Sequence, residues 1–244
     1  MQTYQLIFVA VITLCASFIQ SVTGFGFGIF AMMFLPSVLL YTEANVLSTI
    51  LSTLTSVSVI AIMWRKINVK NLIFPLLGCL VTTYLAVSFI KSQKNETLIL
   101  ILGIVLVLLS VYFFFFSNKI KIKPTWYAGL IAGTISGIMG GMFAIGGPPV
   151  VIYFIQSEKD TDSYLSTISA YFVLSGIINI VTKASAGFVT SNGLFALALG
   201  LLGLLVGTVV GKLTRDKIKP NILKKVVYGF MAISGVINIV SSLV

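Results

Sequence analysis

Residues 140–151 read GGMFAIGGPPVV, four glycines and two prolines inside an otherwise apolar run. In a helix interior glycine costs about 1 kcal/mol and proline about 3 kcal/mol relative to alanine. An uninterrupted helix through this stretch is therefore not expected. A second apolar run is broken in the same way by QSVTGFGFGIF at 20–30, and Gly26 aligns with Gly146 at an offset of 120. Further on, LSTI at 47–50 recurs at 165–168, an offset of 118. The chain reads as a duplication with one glycine-rich break near the start of each half.

The surroundings fix the solvent. Of 244 residues 58% are hydrophobic and 9% charged, with mean hydropathy +1.09, whereas soluble domains carry about a quarter charged residues. Several apolar runs reach the roughly 20 residues needed to cross a hydrocarbon core. This composition defines a polytopic membrane protein in contact with the lipid bilayer and leaves no room for a separate soluble domain. The N-terminal run lacks a basic leader and a cleavage site, so it is expected to stay as a helix. Cys15 and Cys79 both fall inside predicted spans and there is no histidine. Disulfide frameworks and zinc sites are thereby excluded, and no metal or cofactor is expected. The net charge of +10 fits basic cytoplasmic loops; nucleic-acid binding would need an exposed basic face that nothing here carries.

Apolar runs and polar breaks predict helices near 5–23, 27–40, 42–64, 70–90, 96–117, 126–139, 147–156, 162–183, 193–213 and 221–243. Six read as full spans. The other four form two pairs, 5–23 with 27–40 and 126–139 with 147–156, three of them too short to cross comfortably. Each half is then a broken or re-entrant helix pair followed by three transmembrane helices: residues 1–117, a cytoplasmic linker at 118–125, and residues 126–244. A broken pair returns the chain to its starting side and three crossings reverse it, so the repeats are expected to be inverted, as in many transporters. Thirteen Lys and Arg then share one face, among them Arg65, Lys66, Lys70, Lys159 and Lys212, against Lys91, Lys94 and Lys183 opposite. That bias places the basic loops in the cytoplasm and both termini outside. Lys183, near the outer end of its helix, is expected to snorkel to the interface.

Non-helical backbone at membrane depth persists only inside protein or beside water. Glycines permit close backbone approach, and Pro148 and Pro149 suit the first turn of a helix. Two helices thus start at the breaks, and their N-termini offer free N–H donors and partial positive charge to an anion. Candidate substrate-binding residues are Gly24, Gly26, Gly28, Gly140, Gly141, Gly146, Gly147, Pro148 and Pro149, with Gln20, Ser21, Thr23 and Ser136 adding hydrogen bonds. Ser48, Ser52, Ser166 and Ser169 either form a polar wall facing the breaks or bond their own helix backbone. Glu43 and Asp162 each begin a full helix, either as caps or in proton coupling. The small-xxx-small glycines at 129, 133, 200, 203, 207 and 211 read as close helix packing. No acid falls in a span centre and no GxSxG or HExxH motif is present, so catalysis is not expected.

GFGFG followed by an apolar run to Pro36, and above all GIMGGMFAIGGPPVVIYF at 137–154, make the chain resemble the TauE/SafE sulfite exporter family, also called the 4-toluene sulfonate uptake permeases. The duplication extends the resemblance over nearly the whole chain. The first motif departs from the usual run of glycines by its interspersed phenylalanines. The resemblance implies a multi-pass plasma-membrane transporter of sulfur-containing anions such as sulfite, sulfonates or sulfoacetate. The combined expectation is a secondary transporter working by alternating access around the broken helices. A passive anion channel and an integral membrane enzyme acting on lipid phosphate stand as alternatives. Coupling ion, direction and assembly as a homo-oligomer stay open.

Overall fold

The computed structural model describes residues 3–116, 122–214 and 220–243. Residues 118–121 of the expected linker and the basic stretch 215–219 lie outside the described residues. The helices are α1 (Thr3–Thr23), α2 (Phe27–Phe34), α3 (Tyr41–Met63), α4 (Val69–Lys91), α5 (Asn95–Phe116), α6 (Trp126–Phe143), α7 (Gly147–Ser157), α8 (Thr161–Ser185), α9 (Ser191–Thr214) and α10 (Pro220–Leu243). Among the described residues there is no strand, and eight helices are long and apolar enough to cross a membrane. The protein is all-α.

Two boundaries differ from expectation. The second helix stops at Phe34 rather than 40 and passes into a 3-10 turn, Leu35–Ser37, that contains Pro36. Proline has no N–H to continue the ladder. The sixth helix does not stop at 139 but runs on through Gly140 and Gly141 to Phe143. Gly141 is held there because it packs on α4, where an added Cβ would sit 2.7 Å from Ala86 Cβ. With α1 and α6 both long enough to cross, only α2 and α7 are short. The expectation of six full spans and three short helices is corrected accordingly.

Glycines set the helix pairs. A Cβ built on Gly203, Gly207 or Gly211 would lie 2.2, 2.1 or 3.1 Å from the carbonyl oxygen of Ala10, Leu14 or Phe18. The numbering rises together, so α1 and α9 run parallel. Gly133, Gly137 and Gly141 meet the carbonyls of Pro75, Cys79 and Thr83 at 1.9, 2.7 and 3.2 Å in the same rising order, so α4 and α6 are parallel too. In a membrane, where lipid is as apolar as leucine, such small-residue stripes are what allow helices to gain contact by approaching closely. The other two main pairs are antiparallel. Gly176 of α8 abuts Thr53 of α3 and Lys183 reaches Thr49; Gly103 abuts Gly235 while Ser110 bonds the Tyr228 carbonyl. Phe113 stacks on Tyr228 at 4.7 Å across the α5–α10 seam. Exchanging the first five helices for the last five maps each of these pairings onto another or onto itself.

Polar contacts sort the loops into two ends. At one end Lys66 pairs with Asp162, Asn71 bonds Glu158, Lys212 reaches the Ser58 carbonyl, and Phe74 lies against Trp126. Trp64 and Trp126 are exposed at this end, where amphipathic rings favour the water–lipid boundary. At the other end the Tyr41 N–H bonds Asn95 and Thr190 bonds Glu43. Asp160, rather than Asp162, caps α8: its side chain accepts from the N–H groups of Asp162 and Ser163. Bonds from the backbone and hydroxyl of Ser163 hold its carboxyl below the usual carboxylate range. A depressed folded value means stabilisation present above the unfolded value and lost as pH falls through the folded one, below about pH 4. The melting temperatures of wild type and Asp160→Ala should therefore differ at neutral pH and converge in acid.

Candidate functional site

Each break is built by left-handed backbone. After α1, Gly24 and Gly26 adopt φ of 83° and 105°, where a Cβ would be strained, and Gly26 precedes the first turn of α2. The Thr23 hydroxyl lies 2.8 Å from the Ile19 carbonyl and 2.6 Å from that of Phe25, tying the turn. In the second half the left-handed residue is Ala144, at φ 56°. Its N–H bonds the Gly140 carbonyl and that of Ile145 bonds the Met139 carbonyl, which satisfies part of the free C-terminus of α6. Pro148 and Pro149 then open α7, where a missing N–H costs nothing.

The two breaks touch. A Cβ on Gly28 would fall 1.8 Å from the Ala144 carbonyl oxygen, and one on Gly147 would meet Phe25 Cδ2 at 3.4 Å. Around this contact lies a cavity of about 60 Å³, room for roughly four or five water-sized groups. Gln20, Phe25, Gly26, Gly28 and Ile29 form one side and Ser136, Gly140 and Ala144–Gly147 the other; α3 adds Thr49, Ser52 and Thr53, α4 Cys79, and α8 Phe172, Ser175, Gly176 and Asn179. The first turns of α2 and α7 both begin on this wall; α2 brings the N–H groups of Phe27, Gly28 and Ile29, whereas the prolines at 148 and 149 leave α7 only that of Gly147 in its first three positions.

The polar groups are tightly held. The Gln20 amide donates to the Ser52 carbonyl and Ser56 hydroxyl, and its oxygen accepts from the Ser52 hydroxyl. The Ser136 hydroxyl donates to the Gly146 carbonyl and accepts from buried Tyr171. Tyr41 and Asn45 both donate to the Met142 carbonyl, securing the end of α6 to α3. Asn179 donates to the Ser175 carbonyl, and its carbonyl oxygen is buried without a partner.

Of the residues singled out from sequence, Gln20, Gly26, Gly28, Ser52, Ser136, Gly140, Gly146 and Gly147 line this cavity. Ser21, Gly24 and Ser169 line a smaller neighbouring one of about 20 Å³ with Gln20. Thr23 faces a third small space beside Tyr228. Ser48, Gly141, Pro148, Pro149 and Ser166 lie outside all three; the Ser166 hydroxyl bonds its own helix at the Ser163 carbonyl. Glu43 and Asp162 line none of the three. Glu43 accepts from the Leu40 N–H and the Thr190 hydroxyl, and Asp162 is in the exposed pair with Lys66. The cavity is also lined by Thr49, Thr53, Ser175 and Asn179, which belong to the polar sets of the two matching helices, and by Cys79, which the sequence marks only as a packing residue. Ser175, Asn179 and Lys183 recur every fourth residue of α8, a polar stripe that could have marked this wall.

Lys183 corrects an expectation outright. It is 0% exposed rather than at the interface, and its ammonium donates to the Thr49 hydroxyl at 2.8 Å and the Gly140 carbonyl at 3.0 Å.

Gly140 separates binding from folding. A Cβ there would meet its nearest neighbours, Asn179 Nδ2 and Gly146 Cα, at 3.6 Å, an ordinary contact, and alanine gains up to about 1 kcal/mol of helix propensity. Gly140→Ala should thus leave the empty protein at least as stable in a thermal melt while reducing any anion-induced shift, because the methyl enters the cavity.

An all-helical, multi-pass architecture with a small, glycine-walled cavity between two helix breaks is what a membrane transporter requires. The family described as Sulfite exporter TauE/SafE matches residues 9–237, and the chain belongs to it; its members are transporters, not enzymes. The chain is 20% identical over 229 residues to a probable sulfite/organosulfonate exporter TauE of Cupriavidus necator, covering 88% of this chain and 86% of that one. No solved structure matches.

Proposed function

We propose that this protein carries a small, sulfur-containing oxyanion across the plasma membrane by alternating access, with the cavity between the two breaks as the substrate site. The observation that carries this reading is the contact of the breaks beside a cavity of about 60 Å³. Its size suits an anion of sulfite or small-sulfonate dimensions. Its walls supply the N-terminus of α2 and the Gly147 N–H of α7, donors that favour negative charge without needing a large cationic surface. No acidic side chain lines it, which disfavours a cation path. The name of the Cupriavidus necator relative adds support for sulfite or an organosulfonate as the cargo and for export as the direction.

The antiparallel pairing of α3 with α8 and of α5 with α10 supports an inverted repeat, since helices in corresponding positions then run in opposite directions. Two units related in this way rock against each other around a site between them. The loop end that holds Lys66, Lys70 and Lys159 is the cytoplasmic one by its charge, which puts both termini outside.

The reading is tested by thermal melts of the protein in detergent with sulfite, sulfate, thiosulfate, methanesulfonate, sulfoacetate, taurine and acetate. Sulfite or a sulfonate should raise the melting temperature and acetate should not. Stabilisation by cations alone, or equal shifts from every anion, would count against it.

A further inference from the structure

Outside the residues already assigned, Lys183 is a feature of the membrane interior that demands a chemical explanation. Its side chain is completely buried, and both of its acceptors, the Thr49 hydroxyl and the Gly140 carbonyl, are neutral. Both residues stand on the cavity wall, and Lys183 itself lies directly behind that wall, outside the lining. Among the described residues the carboxylates are engaged elsewhere or at helix starts: Glu43 with Thr190, Glu158 with Asn71, Asp160 with Ser163 and Asp162 with Lys66, while Glu96 opens α5. An ammonium has three donors, and these two bonds use two. One turn earlier on the same helix face, Asn179 lines the cavity with its own carbonyl oxygen unpaired.

Burying a cation without a counter-charge is expensive, and ionisable groups inside a membrane protein persist where they serve the transported species. Part of the cost is offset by the C-terminal end of α6, whose last carbonyls include Gly140 and carry partial negative charge. A lysine serving only as a cap would reach a helix end at the surface, in water. This one reaches a helix end that forms the wall of the cavity itself.

We propose that Lys183 is the charge-reading residue of this site: its ammonium, held by Thr49 and Gly140, supplies the counter-charge that selects a small anion over a neutral molecule of the same shape. The inference rests on the transport reading above and adds to it the residue that sets substrate charge. Lys183 would draw α3, α6 and α8 together around the anion, its charge acting on the cavity from directly behind Thr49 and Gly140. The N-terminus of α2, with the Gly147 N–H of α7, would then hold the far side.

The test compares methanesulfonate with dimethyl sulfone, which has nearly the same shape and no charge. Dissociation constants are measured for the full chain in detergent, for wild type and for Lys183→Gln, which retains a donor for Thr49 or Gly140. Wild type should prefer methanesulfonate strongly. In Lys183→Gln that preference should shrink at least tenfold, which is about 1.4 kcal/mol, with affinity for dimethyl sulfone unchanged. A purely structural lysine would weaken both molecules alike and leave the ratio intact; that result overturns the proposal. Wild type that binds no sulfur oxyanion overturns the transport reading itself, which keeps the two failures distinct. If Lys183→Gln cannot be recovered folded, wild type labelled with nitrogen-15 at lysine Nζ decides. A slowly exchanging ammonium signal should shift on adding methanesulfonate and not on adding dimethyl sulfone; no shift, or the same shift with both, overturns the proposal.

Discussion

Gly28→Val is expected to abolish anion-induced stabilisation and to lower the melting temperature of the empty protein. The Cβ would arrive 1.8 Å from the Ala144 carbonyl oxygen, far inside contact distance. A flexible side chain could rotate away, but a backbone oxygen in a cap cannot move alone. Ala144 is already in the left-handed region and its N–H is committed to the Gly140 carbonyl. Relief therefore requires the two breaks to separate, which deforms the cavity beside them. Overpacking costs about 1–3 kcal/mol and more when the neighbour is rigid, so a loss near the upper limit is expected, on the order of 10 °C in the melt. A thermal-shift titration with sulfite reads both effects at once. Retained sulfite binding in Gly28→Val would show that the contact between the breaks is not needed for the site.

Gly207→Leu should have the largest effect on folding. A Cβ there lies 2.1 Å from the Leu14 carbonyl and 2.2 Å from the Ser17 hydroxyl, in the centre of the parallel α1–α9 seam. Leucine would force the helices apart, and the flanking contacts at Gly203 and Gly211 would be lost with it. No hydrophobic force restores them, because lipid solvates the exposed surfaces as well as the partner helix did. The variant should be recovered poorly from membranes and run as an aggregate on size exclusion. Gly229→Ala is the matched control: nothing lies within 4 Å of its added Cβ, and the alanine should be neutral or stabilising by up to about 1 kcal/mol. Equal behaviour of the two variants would show that the glycine stripe does not hold the pair.

Which features were legible in the sequence follows from how local their signals are. Glycine and proline punctuate a helix wherever they stand, so both breaks were visible from GFGFG and GGMFAIGGPP alone. The extension of α6 to Phe143 was hidden, because glycines inside a helix look like a terminus unless a neighbour such as Ala86 is known to sit against them. The face of α3 was hidden as well. Residues Tyr41 to Ser56 of that helix are buried almost all round, so no apolar stripe indicates which hydroxyls turn inward. Of the two readings open for Ser48 and Ser52, a polar wall or bonds to their own helix, the wall holds for Ser52, which reaches the cavity with Thr49 and Thr53, and not for Ser48.

Lys183 was misread for a directional reason. A lysine two residues from a helix end looks free to extend toward the nearer water, but Cα–Cβ bonds in a helix tilt toward its N-terminus. At the C-terminal end of α8 that tilt points the stem back along the helix, toward Thr49 and Gly140. A lysine at the N-terminal end of a span would have snorkelled outward with ease.

The central claim is that the space between the breaks is the transport site of a carrier. Counterflow of sulfur-35 sulfite in proteoliposomes, comparing wild type with Gly146→Leu, tests it most directly. A Cβ at Gly146 would already lie 3.0 Å from the Ser136 carbonyl and hydroxyl oxygens, and the rest of the leucine has only the cavity to occupy. Wild type should show a saturable, transient accumulation of label driven by unlabelled sulfite inside, and folded Gly146→Leu should show none. Label that merely equilibrates in wild type, or counterflow undiminished in Gly146→Leu, would contradict the account.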